Sequence, residues 1–195
     1  MSTDDAVTID PARTALLVMD YQNGLFDRID GGDALLAEAR DAIARVRAAG
    51  GTIGYVRVGF ADGEAPSGTM GARIGREAAA TMFHADAPAT QIHSAIAPQD
   101  GDIVVRKTRV GPFGTTDLDQ QLRARGIDTL LLAGISTSGV LLSAVRDAHD
   151  RDYRLLVVSD LSADPEPDVH AFLMERIFPR MGEVITAGEL GARLG

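Results

Sequence analysis

Short, wholly apolar runs alternate along this chain with longer stretches whose apolar residues recur every three or four positions. Ala15-Leu16-Leu17-Val18-Met19 has no polar member and stops at Asp20, which predicts a strand buried on both faces. From Asp33 to Ala49 the apolar positions Leu35, Leu36, Ala39, Ala42, Ile43 and Val46 follow helical spacing, and Gly50-Gly51 ends that helix. Thr52 to Val58 predicts a second strand. Ile103-Val104-Val105 predicts a third, entered through Gly101-Asp102 and leaving into Arg106-Lys107. Thr116 is placed to cap a helix carrying Leu118 and Leu122 that ends at Gly126.

The rhythm continues with a strand over Thr129-Leu130-Leu131-Leu132-Ala133, a helix from about Ser138 to Asp152, and a strand from Arg154 to Val158. Pro165 to Phe178 predicts a helix opened by proline, with Val169, Phe172, Leu173 and Ile177 facing inward. Glu183-Val184-Ile185 is a last short strand before a C-terminal helix. Strands alternating with helices pair in parallel through right-handed crossovers and carry helices on both sheet faces. The expectation is an α/β fold of three layers, α/β/α, with a parallel, Rossmann-like sheet. One stretch breaks the rhythm. Between Gly59 and Asp102 the chain is rich in Gly, Ala and Pro, with one helical piece near Arg73 to Phe83, as expected of a functional loop or a partner-facing arm.

At 195 residues the chain predicts a single domain over 1–195. A net charge of −9 excludes nucleic acid and anionic membranes as main partners, since both require a basic face. No apolar run approaches the roughly 20 residues of a spanning helix, and Met1-Ser2-Thr3-Asp4-Asp5 is too acidic and polar for a secretory signal. A cytoplasmic protein is expected. Cysteine is absent, so disulfides, thiolate metal ligands and thiol nucleophiles are all excluded.

Parallel sheets bind ligands beyond the carboxyl ends of their strands. Three polar features fall there: Asp20 after the first strand, Lys107 after the third, and Gly134-Ile135-Ser136-Thr137-Ser138-Gly139 between the fourth strand and its helix. An acid there would transfer a proton, an ammonium would hold that acid ionised or bind an anion, and helix amides would cradle negative charge. By spacing alone the plainer readings prevail: a strand-end turn residue, a solvated charge and a helix cap.

The local sequences add to this. Leu17-Val18-Met19-Asp20-Tyr21-Gln22-Asn23 resembles the opening motif of the isochorismatase-like, or cysteine hydrolase, superfamily. Val104-Val105-Arg106-Lys107-Thr108-Arg109 through Phe113, with Thr116-Asp117-Leu118, resembles its lysine motif. Leu132 through Ser143 resembles its nucleophile loop, and the likeness extends to Arg146-Asp147-Ala148 and Val157-Val158-Ser159-Asp160. The resemblance implies a six-stranded parallel sheet, with Asp20 and Lys107 as two members of the family's catalytic triad. It also implies a cis Ile135–Ser136 bond that turns the backbone amides of Ser136 and Val140 toward the reacting oxygen.

The departure lies at Val140, where the family's cysteine falls. An isopropyl group can neither attack a carbonyl nor carry an acyl group, which puts nicotinamidase and carbamoyl-amide hydrolase activities in doubt. The end of the second strand, Arg57-Val58-Gly59-Phe60, lacks the Asp-x-His metal pattern of nicotinamidases, and His84, His93, His149 and His170 show no ligand spacing. No metal or other cofactor is expected. Three explanations stay open. True isochorismatases also lack a cysteine there and protonate a vinyl ether with the strand-one aspartate, as Asp20 would do with Lys107 in support; yet their tyrosine- and histidine-containing loop is replaced here by Ser136-Thr137-Ser138, which argues against isochorismate itself. Ser138 or Ser143 would otherwise be the nucleophile, giving a serine-dependent amide hydrolase. Or the chain is a small-molecule-binding pseudoenzyme.

Gln22, Phe26, Arg109, Phe113 and Ser138 are the candidate substrate contacts. Tyr21 and Phe60 are further candidates to wall a pocket, and Arg57, like Arg109, to chelate a carboxylate. The resemblance and the long 59–102 segment together predict a homo-oligomer whose arms border the neighbouring pocket.

Overall fold

The computed structural model describes residues 8–26, 29 and 31–194. The Met1–Asp5 segment on which the cytoplasmic expectation rests lies outside them. Six strands form one sheet in the order β3-β2-β1-β4-β5-β6, every pair parallel: β1 (Thr14–Met19), β2 (Thr52–Val58), β3 (Ile103–Lys107), β4 (Thr129–Gly134), β5 (Arg154–Val158) and β6 (Glu183–Ile185). This is an α/β fold with helices on both faces of a parallel sheet. Among the described residues no helix is long and apolar enough to cross a membrane.

β1 and β4 occupy the middle of the sheet and are buried at every position, which is why both are apolar after an opening threonine. Alternate β1 residues serve two separate cores. Leu16 and Val18 meet α2 (Gly32–Ala48) through Leu36, Ile43 and Val46, while Ala15, Leu17 and Met19 face the other layer. That layer is built from Leu118 and Leu122 of α5 (Leu118–Ala124), Val145 of α6 (Leu142–Asp150), and Leu173 and Phe178 beyond α7 (Pro167–Phe172). α8 (Leu190–Arg193) closes the first layer with Leu190. The side chain of Thr116 accepts a hydrogen bond from Leu118 N–H at 3.1 Å, two residues before α5 starts.

Three expectations need correction. The helix drawn from Arg73 to Phe83 is two short ones, α3 (Thr69–Ile74) and α4 (Arg76–Ala80), because Gly75 at φ 81° breaks the path between them. The helix drawn from Pro165 starts at Pro167, and Phe172 is 57% exposed rather than inward. A π turn over Leu173–Ile177 follows α7 directly and gives the core positions to Leu173 and Met174, so a uniform 3.6-residue period misplaces Phe172. The helix drawn from Ser138 begins as another π turn, Thr137–Leu141, and becomes α6 only at Leu142. α1 (Asn23–Phe26) is a single turn after β1.

Candidate active site

The strand order reverses between β1 and β4, and the ends of these strands define the site. Met19 pairs with Val56 on one side and Gly134 on the other, so Asp20 and Ile135 leave adjacent strands at the same level. Asp20 takes φ 62°, a left-handed conformation that aspartate tolerates better than most residues, and its N–H still donates to Val56 C=O at 2.8 Å. The chain therefore turns off the sheet while the carboxylate stays at its edge.

Lys107 ends β3, two strands away and so about 10 Å across the sheet. Its long stem spans the end of β2, and Nζ donates to Asp20 Oδ2 at 2.7 Å and to Val110 C=O at 2.6 Å. Asp20 is 6% exposed and Lys107 2%. Oδ1 of Asp20 is buried and, among the described residues, has no hydrogen-bond partner. Burial raises the Asp20 carboxyl above its usual range, and the neighbouring Lys107 ammonium opposes that rise.

After β4 the Ile135–Ser136 peptide is cis. In the π turn that follows, the N–H groups of Gly139 and Leu141 both donate to Ser136 C=O, at 3.2 and 3.3 Å. A side chain on Gly134 would press on Val140 Cγ1 at 3.1 Å, and one on Gly139 would meet Ser136 Oγ at 2.8 Å. Two glycines thus let the turn fold tightly against the strand. The turn is also tied from outside. Thr137 N–H donates to Ala163 C=O at 2.8 Å, and Ser138 N–H donates to the Asp164 carboxylate at 2.7 Å. Thr137 Oγ1 and His170 Nδ1 lie 2.8 Å apart.

These pieces surround a cavity of about 280 Å³ whose wall includes Asp20, Lys107, Arg109, Ser136, Ser138 and Val140. Met70, Ile74 and Phe83, all from the long 59–102 segment, complete an apolar side. The space suits a molecule smaller than a typical drug. An acid–base group with one free oxygen, an adjacent ammonium and a turn presenting backbone amides can transfer a proton and stabilise a developing negative charge.

The other candidates fall in different places. Gln22 is buried below the site, where its side-chain amide accepts from Val58 N–H and donates to the carbonyls of Val58 and Thr90. Phe26 packs edge-on against Tyr21 and His93 beside a separate hollow. Phe113 sits in the core against Tyr153, with the Arg151 guanidinium over its ring. The Tyr21 hydroxyl donates to Leu161 C=O, and Phe60 is buried. Arg57 donates to Ala85 C=O at 2.8 Å. Ser138 is exposed at the cavity lip, whereas Ser143 is half-buried on α6 and off the cavity wall. Among the described residues no group of three His, Asp or Glu side chains could hold a metal. Sequence reasoning missed Met70, Ile74, Phe83 and the Asp164–His170 supports. Their contacts are long-range, and no local pattern announces them.

A family model described as the isochorismatase domain matches residues 14–189. An uncharacterised isochorismatase family protein of Bacillus subtilis, YwoC, is 32% identical over 185 residues, covering 95% of this chain and 96% of that protein. The ureidoacrylate amidohydrolase RutB of Methylobacterium radiotolerans is 30% identical over 214 residues, covering 98% and 83%. Among solved structures, a cysteine hydrolase from Pseudomonas syringae pv. phaseolicola superposes with a TM-score of 0.88 at 26% identity, covering 95% of this chain and 94% of that one.

Proposed function

The chain belongs to the isochorismatase family, and from that premise we propose that it hydrolyses a small organic molecule by acid–base chemistry at Asp20, with no covalent enzyme intermediate. The observation that carries this is the pairing of Val140 with Asp20 on one cavity wall. The side chain at the family's nucleophile position is chemically inert, while the carboxylate beside it keeps one buried oxygen that is unpartnered among the described residues.

On an amide, a water against Asp20 Oδ1 gives its proton to the carboxylate as its oxygen bonds to the carbonyl carbon. The amides of Ser136 and Val140 take up the negative charge on the carbonyl oxygen. The proton then passes from Asp20 to the leaving nitrogen as the C–N bond breaks. Lys107 keeps Asp20 ionised until the water is deprotonated. A vinyl ether would use the same carboxyl in the opposite sense, with the proton going first to carbon and water adding afterwards. The amidohydrolase activity named for the Methylobacterium relative favours the amide class. A homo-oligomer bordered by the 59–102 segment belongs to the same proposal; sedimentation as a monomer across a wide concentration range would remove it.

The test is a panel of amides, carbamates and vinyl ethers given to the purified protein, with intact-mass measurement during turnover. Turnover with unmodified enzyme mass is expected. A substrate-derived adduct on Ser138 or Ser143 would overturn the non-covalent step, and saturable binding with no turnover anywhere in the panel would make the protein a binder.

A further inference from the structure

The π turn Thr137–Leu141, headed by Ser136, is a single wide turn in which Leu142 N–H reaches back to Thr137 C=O. A single wide turn closes few internal hydrogen bonds, and here two of its N–H groups share one acceptor, Ser136 C=O. Backbone amides stabilise an oxyanion only if they are already aimed before charge develops. Ties from outside the turn therefore help to set their aim.

The outside support is one continuous strip between β5 and α7. Ala163 accepts from Thr137 N–H and donates to Gly134 C=O, Asp164 accepts from Ser138 N–H, and Ser162 Oγ lies 3.3 Å from Gly134 N. The remaining tie is from side chain to side chain. Thr137 is fully buried, and His170 Nδ1, at 2.8 Å, is the partner of its hydroxyl. A buried hydroxyl without a partner is costly, so the ring restricts where Thr137 can sit. His170 is not on the catalytic cavity. It borders an adjoining hollow of about 240 Å³ together with Ser162 and Asp164, and the two spaces share Ile29 and Pro165 as their dividing wall.

We infer that His170 is a positioning residue: acting through Thr137, it holds the Ser136 and Val140 amides where the oxyanion of the proposed hydrolysis forms. This rests on the hydrolase reading for its purpose, but the mechanical part stands on the contacts alone. Asp164, which borders the same hollow as His170, shares the task by way of the Ser138 amide. His170 touches no reacting atom.

The test compares wild type with His170→Ala and His170→Asn, because an asparagine side chain places a hydrogen-bonding atom near the position of the imidazole Nδ1. On a substrate found by the panel, His170→Ala should lower kcat by about 10–100-fold with KM within about twofold, as expected when catalytic geometry is loosened and binding is not. His170→Asn should recover most of that loss. Amide hydrogen exchange gives a readout that needs no substrate. In His170→Ala the amides of Thr137, Gly139 and Leu141 should exchange about tenfold faster or more while the rest of the sheet is unchanged, and His170→Asn should restore them. Unchanged exchange in the turn, or an equal rise throughout the domain, would overturn the inference. Absence of wild-type turnover would sink the hydrolase reading alone, since the exchange comparison decides the role of His170 without it.

Discussion

Lys107 engages one oxygen of Asp20: its ammonium lies 2.7 Å from Oδ2, and Oδ1 is buried and, among the described residues, unpartnered. One oxygen is thus held in place and the other is available for proton transfer. Asp20→Asn keeps the shape and removes that capacity, so turnover should fall about 10²–10⁴-fold. Ser138→Ala and Ser143→Ala should each retain most activity. Steady-state kinetics on all three variants checks this, and a silent Asp20→Asn would remove Asp20 from the chemistry.

The pH profile should carry the mark of burial. Asp20 must be ionised to take a proton from water, and burial raises its carboxyl above the usual range against the pull of Lys107. The ratio kcat/KM for an amide should therefore rise with pH through a midpoint above the roughly 3.9 of a free aspartate. In Lys107→Met that midpoint should move higher still, because the opposing cation is gone. A limb at or below the free value would contradict the assignment.

Stability should follow the pair rather than either partner. Lys107→Met leaves a buried carboxylate uncompensated and should cost about 3–5 kcal/mol near neutral pH. Because Asp20 in Lys107→Met lies higher still than in the wild type, this cost is full above the variant's folded value and shrinks as pH falls from there toward the wild-type folded value. The double variant Asp20→Asn/Lys107→Met should recover most of the loss. Denaturant unfolding of the four proteins closes the cycle, and simple additivity would show that the two side chains are not coupled.

Val140→Cys should install the missing nucleophile. The change in volume is small, so the fold should lose less than about 1.5 kcal/mol. A chain with no natural cysteine makes the readout clean: one alkylation event in the variant, none in the wild type, and an acyl adduct by mass spectrometry when an amide is supplied. Resistance to alkylation in the folded state would mean that position 140 does not open onto the cavity.

Arg109 should sort substrates by charge. It is exposed on the cavity wall, on the turn that the Lys107–Val110 bond closes. Arg109→Ala should raise KM for carboxylate-bearing substrates about tenfold or more and leave neutral ones unaffected, with the difference shrinking in high salt. Equal effects on both classes would count against a carboxylate contact.

Much of this architecture is visible in the chain because buried parallel strands cannot hide. After an opening threonine neither β1 nor β4 has a polar position, and parallel pairing then forces Asp20, Lys107 and the 134–139 segment to one edge. What the pattern cannot convey is anything set by departure from a regular period or by distant packing. Phe172 turns outward because a π turn follows it, and Gly75 splits a helix that composition alone would join. Phe113 looks like a pocket residue from its motif, yet Tyr153 and Arg151 claim its ring for the core. Thr137 and His170 meet across 33 residues of chain, and neither residue's neighbours hint at the other.

The long segment between β2 and β3 is fastened at both ends and suspended between them. Arg106 ties Glu64 at one end, with Nη1 2.5 Å from the carboxylate, while Gln22 and Arg57 hold the carbonyls of Thr90 and Ala85 at the other. Between these ties Met70 and Ile74 reach the cavity, joined by Phe83, whose C=O accepts from Phe60 N–H at 2.9 Å. On the proposed reading, this separates the reaction from the choice of molecule. Asp20, Lys107 and the amide-bearing turn belong to the rigid sheet edge, whereas one wall hangs between fixed clasps and can be recut without disturbing either. On that reading, a scaffold of this kind can take a new substrate through changes in that wall, with its chemistry inherited unchanged.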